Sequence, residues 1–443
     1  MKNIAPQEVH KTIGKHMLAD GMSIVLDMEK SHGCYIHDSL SGRDILDFFS
    51  FFASAAVGHN HPVLDNPEFI AKLGKIAINN VTNSDLYTTE MASFVDTLAE
   101  VAIPDYLPHL FMVAGGALGV ENALKAAFDW KVQKNFLKGY TRPVGSQVIH
   151  FRNAFHGRTG YTLSLTNTSD ARKHQWFAKF NWPRIISPAM QFPQTEENVN
   201  HVRALENLAV NQIKTAIKEN GDDIAAMIIE PIQGEGGDNH FRPEFLKSLR
   251  QLCDENDIFL IYDEVQTGVG MTGKMWAHEH FPEARPDAIA FGKKMQVCGT
   301  LVGTRIDEVE RNVFVESSRL NSTWGGNLVD MVRAGKYLEI IRDEKLVENA
   351  AKVGASLQNK VAKLAEEFPT VITNVRGRGM MIAFDAPTGQ FRNLISDKCF
   401  KNGLACIGCG DHTIRFRPPL ILTEAEAEEG IAILRKSIKE LLG

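Results

Sequence analysis

The sequence predicts an α/β protein with a large domain built on a mostly parallel sheet and a smaller α+β domain at the C-terminus. In the middle of the chain, short apolar runs alternate with amphipathic segments, a pattern typical of parallel strands joined by helices. From about residue 330, long helical runs come first and short strands follow. A chain of 443 residues is long enough for two such domains.

The same pattern gives approximate bounds for the domains and their elements. We expect an N-terminal arm over residues 1–60, a large domain over 61–328 and a small domain over 329–443. The strands expected in the large domain are 109–114, 147–151, 225–232, 258–265 and 288–291. A helix is expected at 243–256, because Pro243 suits a first turn and apolar residues then repeat at helical spacing. Near and within the small domain we expect helices at 328–342, 349–367 and 424–442 and strands at 371–385 and 413–417.

Composition excludes several classes of protein. A net charge of −6 provides no basic surface for nucleic acid and no polybasic patch for a membrane. No apolar run approaches the roughly 20 residues that span a bilayer, and the polar start does not resemble a secretory signal. Six cysteines are few for this length, and Cys406 and Cys409 have no second ligand pair. We therefore expect a cytoplasmic protein with buried thiols. We also expect no metal, since His59 and His61 alone are weak evidence for one.

Charged residues follow two apolar strands at the point where each strand ends. Asp263 and Glu264 follow one strand, and Lys293 and Lys294 follow the next. In open α/β sheets, ligands bind beyond the carboxyl ends of the strands. Such residues are often only loop caps or solvated charges, but a lysine beside an acidic strand end is well placed to be a buried nucleophile.

Two glycine-rich segments are candidates for phosphate binding. The segment 268–273 has the spacing of a dinucleotide-binding motif and nearly that of a P-loop, which raises the alternative of a nucleotide-binding ATPase. Met275 stands where a P-loop needs Ser or Thr, and the flanking residues indicate a loop, so both interpretations are disfavoured. Gly115, Gly116 and Ala117 instead join a strand to a helix expected at 118–129, where free N–H groups favour a phosphate. A tight packing turn would give the same pattern.

Three longer motifs identify a family. Glu230-Pro-Ile-Gln-Gly-Glu-Gly-Gly237, Tyr262-Asp-Glu-Val-Gln-Thr-Gly268 and Phe291-Gly-Lys-Lys-Met295 occur in the order and spacing of the class III aminotransferases. This family has pyridoxal-5′-phosphate (PLP) fold type I. The resemblance runs from about residue 58 to 419, and it implies a PLP enzyme that works as a homodimer with active sites shared across the interface.

The resemblance also implies a role for each of several cofactor-binding residues. Lys293 would carry PLP as a Schiff base and move the substrate proton, and Asp263 would pair with the pyridine nitrogen. The other expected contacts are Gln266 to the ring oxygen, the backbone of Gly116 and Ala117 to the phosphate, Phe155 stacked on the ring, and Thr323 supplied by the partner subunit.

The resemblance further predicts the substrates. Arg158 matches the arginine that grips a distal carboxylate in omega-aminotransferases, while Arg415 and Glu235 match the α-carboxylate binder and its switch partner; Arg417 could compete with Arg415. Within the family, the chain most resembles the enzymes that move the ε-amino group of L-lysine to 2-oxoglutarate, giving 2-aminoadipate 6-semialdehyde, which cyclises to a piperideine-6-carboxylate, and L-glutamate. Activity on 4-aminobutyrate or ornithine would use the same residues. A non-catalytic PLP-fold protein is disfavoured, because the lysine, the aspartate and both arginines are present.

Overall fold

The computed structural model describes residues 3–443. Its strands, in chain order, are β1 (Tyr35–Asp38), β2 (Arg43–Asp47), β3 (His109–Val113), β4 (Gln147–Phe151), β5 (Arg184–Ile185), β6 (Ile224–Ile229), β7 (Ile232–Gln233), β8 (Asn239–His240), β9 (Phe259–Asp263), β10 (Ala288–Phe291), β11 (Cys298–Val302), β12 (Thr373–Arg378), β13 (Met381–Asp385), β14 (Leu404–Ala405), β15 (Ile407–Cys409) and β16 (Thr413–Phe416). Its α-helices are α1 (Val9–Ile13), α2 (Ser50–Ala53), α3 (Pro67–Ile76), α4 (Thr89–Val101), α5 (Gly116–Leu137), α6 (Gly160–Leu165), α7 (Glu196–Asn220), α8 (Pro243–Glu255), α9 (Leu328–Asp343), α10 (Leu346–Glu367), α11 (Gly389–Asn402) and α12 (Glu424–Leu442).

The large sheet has the strand order β3-β11-β10-β9-β6-β4-β5. Its pairings are parallel except those of β11, which is antiparallel to both β3 and β10. All residues of β6, β9 and β10 are buried, as expected for strands whose two faces are covered by helices. The mostly parallel sheet that the sequence predicts is therefore confirmed, while β11 was not anticipated.

Helix α8 shows how closely the sequence pattern fixes local structure. Pro243 occupies its first turn, where a missing N–H costs nothing. Phe245, Leu246, Leu249 and Leu252 are buried, so the apolar face that the spacing predicts is the face that packs on the sheet.

The C-terminal part contains an antiparallel sheet in the order β12-β13-β16-β15, together with helices α10 to α12. The segment 371–385, expected as one strand, is two strands that turn back at Gly379, where φ is +58°. Strand β14 pairs with β2 of the N-terminal arm, so the arm joins the C-terminal part of the chain. The division into 1–60, 61–328 and 329–443 is retained as our proposal.

The glycine-rich segment 268–273 is a packing loop. Strand β9 ends at Asp263, and the chain then turns without entering an α-helix. A Cβ atom at Gly268 would lie 2.5 Å from the Trp276 ring, and one at Gly273 would lie 2.8 Å from the Cβ of Ala351 on α10. Glycine is needed here for close approach between this loop and its neighbours, which explains the spacing without a nucleotide.

His59 and His61, the two histidines considered as metal ligands, lie in separate surroundings. His59 contacts Asp47 at 2.9 Å and His61 contacts Glu344 at 3.3 Å, so the two histidines have different partners. Within residues 3–443, no helix is long and apolar enough to cross a membrane.

The glycine of α10 at position 354 gives a test of this packing. A Cβ atom at Gly354 would overlap the backbone of Gly379, which cannot move as a side chain can. We expect Gly354→Ala to lower the free energy of unfolding by ~1–3 kcal/mol, the usual cost of overpacking. Gly74→Ala is the control, because nothing lies within 4 Å of the added Cβ. It should raise stability by ~0.5–1 kcal/mol. Chemical denaturation of both variants measures the difference, and an unchanged Gly354→Ala protein would contradict the packing.

Candidate active site

A cavity lies beyond the carboxyl ends of β9 and β10, where ligands bind in sheets of this kind. Asp263 is the last residue of β9, and Lys293 begins a short turn, Lys293–Met295, directly after β10 and Gly292. The predicted residues that line the cavity are Gly116, Ala117, Phe155, Glu235, Asp263, Gln266 and Lys293. Four further lining residues, His156, Gly157, Glu230 and Val265, were not among those predicted.

The two consecutive lysines have different surroundings. Lys293 has a left-handed backbone conformation (φ +51°) and lines the cavity. Removal from water and the nearby Arg415 lower the pKa of Lys293 to about 8, although Asp263 partly opposes the shift. Lys294 is buried outside the cavity lining, and its ammonium donates to the carbonyl oxygens of Ala53 (3.2 Å) and Gln266 (2.8 Å). Only the first lysine therefore presents its amine to the cavity.

The two carboxylates at the end of β9 have different partners, as alternation along a strand requires. Asp263 contacts the Nδ1 atom of His156 at 2.8 Å and accepts from the backbone N–H of Val265 at 3.0 Å. Glu264 lies outside the cavity lining and contacts Nδ1 of His278 at 3.0 Å. Burial alone would raise the pKa of Glu264, but its hydrogen bonds hold that pKa below the ordinary value.

Glu230 adds a third carboxyl group to the cavity. It accepts from the backbone N–H groups of Phe155 (2.9 Å) and Gly234 (3.0 Å). Burial, with Asp263 nearby, raises the pKa of Glu230 to about 7. Glu230 begins one of the three family motifs and His156 follows the predicted residue Phe155, but neither was predicted as a site residue. Their position next to predicted site residues was the available signal.

One end of the cavity is built for an anion. Helix α5 begins at Gly116, two residues earlier than predicted, after Gly115 at φ +116°. The first N–H groups of any helix lack intrahelical partners and carry a partial positive charge. A Cβ atom at Gly116 would lie 2.9 Å from Val265, so a larger residue would narrow this end.

Arg415 lies on β16 and Arg417 directly follows that strand; neither lines the cavity, and their bonding differs. Arg417 pairs with Asp238 and donates to Gln266 at 3.1 Å. Arg415 contacts Glu235 at 2.5 Å, while its Nε and Nη1 atoms have no hydrogen-bond partner in the described part of the chain. Arg415 is therefore the arginine of the two with unpaired donors, which favours it over Arg417 as a carboxylate binder.

Besides Arg415, two predicted residues do not line the cavity of their own chain. Arg158 is exposed, and its guanidinium lies 5.8 Å from the ring centroid of Phe155. Thr323 is also exposed, in a loop that Asn83 and Ser84 fasten through hydrogen bonds to the backbone of Trp324 and Ser322.

Fold and site together define an enzyme of PLP fold type I. The family model for class III aminotransferases matches residues 17–438, and the chain belongs to that family, whose members depend on PLP. An L-lysine-epsilon aminotransferase of Mycobacterium tuberculosis is 50% identical over 98% of this chain and 96% of its own length. The solved structure of "Lysine aminotransferase from M. tuberculosis in the internal aldimine form" superposes with a TM-score of 0.96 at 49% identity, covering 99% of this chain and 100% of that one. A 4-aminobutyrate aminotransferase of Saccharomyces cerevisiae is 34% identical over 94% of this chain and 90% of its own length.

The cavity fits the cofactor of this family. An uncapped helix start suits a phosphate, a buried carboxylate suits a ring cation, and an amine of lowered pKa suits an aldehyde. The Nε2 atom of His156 also has no hydrogen-bond partner among residues 3–443.

The contact between His156 and Asp263 gives a second test. We expect His156→Phe to weaken PLP retention about tenfold or more, because a hydrogen bond to a charged group contributes roughly 1.5–3 kcal/mol and here fixes the carboxylate that faces the cavity. His278→Phe is the matched control, since His278 holds the neighbouring Glu264 outside the cavity lining. Both variants should lose thermal stability, but only the first should release PLP faster during dialysis. Equal release from both would contradict this assignment.

Proposed function

We propose that this chain transfers the ε-amino group of L-lysine to 2-oxoglutarate. The products are L-glutamate and 2-aminoadipate 6-semialdehyde, which cyclises to a piperideine-6-carboxylate. The observation that carries the proposal is the 50% identity with an L-lysine-epsilon aminotransferase over nearly the whole chain. The presence of Arg158, Glu235 and Arg415 supports it, because the reaction needs two carboxylate sites and a way to close one of them.

PLP, when bound, supplies an aldehyde that condenses with amines and a ring that takes up electrons from the substrate carbon. Lys293 would hold the aldehyde, and Asp263 would face the ring nitrogen. The remaining contacts are assigned to Gln266 at the ring oxygen, Phe155 on the ring face, the N–H groups of Gly116 and Ala117 at the phosphate, and Thr323 of the other protomer.

Lys293 is also the proposed proton carrier. A pKa of about 8 leaves a sizeable neutral fraction near neutral pH, so its Nζ atom can accept a proton from the ε-carbon of lysine and later return it. A lysine at its ordinary pKa would be almost wholly protonated and could not begin as a base.

Arg158 is the proposed site for the α-carboxylate of lysine. A guanidinium binds a carboxylate through two parallel hydrogen bonds, which fixes the distance of the far end of the substrate. Gripping this carboxylate presents the ε-amine, not the α-amine, to the cofactor. The stacking of Arg158 on Phe155 supports the role by placing the guanidinium next to a cavity residue.

Glu235 is the proposed switch between the two substrates. While it neutralises Arg415, no carboxylate is favoured near the reacting carbon, and a terminal CH₂–NH₃⁺ group fits. When it moves aside, Arg415 can take the α-carboxylate of 2-oxoglutarate and Arg158 the other one. The free Nε and Nη1 donors of Arg415 support this second state.

A homodimer is part of the proposal, because Thr323 lies outside the cavity lining of its own chain. The exposed Leu86, Tyr87 and Trp324 lie around the loop that carries Thr323, which favours a contact surface there. A cytoplasmic location stays a prediction of the sequence.

Activity on 4-aminobutyrate or ornithine is the alternative, since the 4-aminobutyrate enzyme of Saccharomyces cerevisiae is 34% identical. We expect lysine to show the highest kcat/KM of the three donors when 2-oxoglutarate is the acceptor. Discrimination by one methylene group is worth about 1–3 kcal/mol, or roughly 10–200-fold. Steady-state assays on the purified holoenzyme measure it. A better rate with either rival would refute the lysine assignment and leave the family unchanged.

Replacing each lysine in turn tests the role of Lys293. We expect Lys293→Ala to lose the visible absorbance of bound PLP and to lower turnover by about 10²–10⁴-fold or more, as removal of an acid–base group does. Lys294→Met should keep the absorbance and turnover but lose about 1–3 kcal/mol of stability, because two buried carbonyl oxygens lose their donor. The reverse pattern would assign the cofactor to Lys294.

A further inference from the structure

The carboxylate of Glu235 is shared by two cations. Its Oε2 atom lies 2.5 Å from Nη2 of Arg415, and its Oε1 atom contacts the ammonium of Lys173. Arg415 belongs to β16, while Lys173 ends the short turn Ala171–Lys173 that follows α6. The two cations therefore reach one carboxylate from different parts of the fold.

Glu235 also lies between two cavities. It lines the cofactor cavity, and it lines a second, polar cleft together with Lys173. The other charged residues of this cleft are Asp170, Arg172, Arg392 and Asp411. Arg172 is held by Asp170, and Arg392 donates to the backbone oxygens of Cys409 and Gly410. Lys173 is thus the cation of the cleft that is directed at Glu235.

Exposure increases along the three residues. The side chain of Arg415 is 2% exposed, that of Glu235 is 18% exposed, and that of Lys173 is 22% exposed. If the carboxylate of Glu235 leaves Arg415 and keeps its Oε1 contact, it therefore moves away from the interior and toward Lys173.

We propose that Lys173 is a positioning residue that receives Glu235 when Glu235 releases Arg415, and that it thereby favours the state that binds 2-oxoglutarate. The proposal rests on the switch described under the proposed function and adds the group that makes its second state accessible.

The physical reason is the cost of separating a partly buried ion pair. A carboxylate withdrawn from its arginine without another partner keeps its desolvation penalty and loses the compensating charge. With Lys173 in contact, Glu235 exchanges two cations for one and is never unpaired. We call the state with Glu235 on Arg415 closed and the state with Glu235 released from Arg415 open. Without Lys173, Glu235 keeps an ion pair in the closed state but has none in the open state, so the population shifts toward the closed state.

Measuring the two half-reactions separately distinguishes a Lys173 that receives Glu235 from a Lys173 that only anchors the turn Ala171–Lys173. Lys173→Met removes the charge and keeps most of the side-chain volume. We expect it to weaken binding of glutarate, an unreactive dicarboxylate, to the PLP-loaded enzyme by about fivefold, and to raise the KM for 2-oxoglutarate by a similar factor. The single-turnover rate with L-lysine should stay within about twofold of wild type, because that step uses the closed state. Calorimetric titration and stopped-flow absorbance measure these quantities.

Two further variants serve as controls. Lys173→Arg keeps a cation in reach of Glu235 and should restore glutarate binding. Lys179→Met removes an exposed lysine of the same segment whose ammonium lies 3.4 Å from His174, and it should change neither half-reaction.

Equal loss in both half-reactions, or no change in glutarate binding, would overturn the role of Lys173. A wild-type enzyme that does not react with L-lysine at all would refute the proposed function, and the glutarate titrations would still decide whether Lys173 controls access to Arg415. Circular dichroism and thermal denaturation of each variant confirm that folded proteins are compared.

Discussion

An amine and a carboxylate at the ends of adjacent parallel strands are the constraint on which the site depends. Ala290 of β10 pairs with Asp263 of β9, so the chain that continues from β10 places Lys293 beside that carboxylate. Parallel pairing makes this possible, because both strands end at the same edge of the sheet. Burial then lowers the pKa of Lys293, and Asp263 limits the shift. Near neutral pH the amine is therefore neutral in part of the molecules and still a cation in the rest.

The C-terminal sheet supplies Arg415, the arginine that pairs with Glu235. Arg415 lies on β16, and the backbone N–H of Arg417 donates to the carbonyl oxygen of Phe48 in the N-terminal arm at 2.8 Å. Phe48 itself is buried against Phe416, so this part of the arm belongs to the core, whereas Phe52 is 53% exposed. Arg415 therefore belongs to the C-terminal sheet, whose last strand is fastened to the N-terminal arm, while Asp263 and Lys293 belong to the large sheet and the turn that follows it.

Sequence patterns predicted the regular elements well and the contacts between them poorly. Strands 147–151 and 288–291 have the predicted bounds, and the second of them is an uninterrupted apolar run. Strand β11 was missed, since a short run containing Gly299 and Thr300 after a turn resembles a loop. The choice between Lys293 and Lys294 depended on family resemblance, because only the turn geometry shows which amine faces the cavity. Lys173 and Glu235 are 62 positions apart, and nothing in either segment announces their contact.

The charges around the cavity also explain how three carboxyl groups can share it. Glu230, with a pKa raised to about 7, carries its proton part of the time near neutral pH, which removes one negative charge from beside Asp263. Glu235 is in the opposite condition, because Arg415 and Lys173 outweigh the effect of burial and keep its pKa low. Two glutamates five residues apart thus differ in charge, because Glu230 is buried near Asp263 without a cationic side-chain partner, whereas the partly buried Glu235 faces two cations. On one side of the cavity a carboxylate is therefore paired with cations, as the proposed switch at Glu235 requires, and on the other side a partly protonated carboxyl group limits the negative charge beside Asp263.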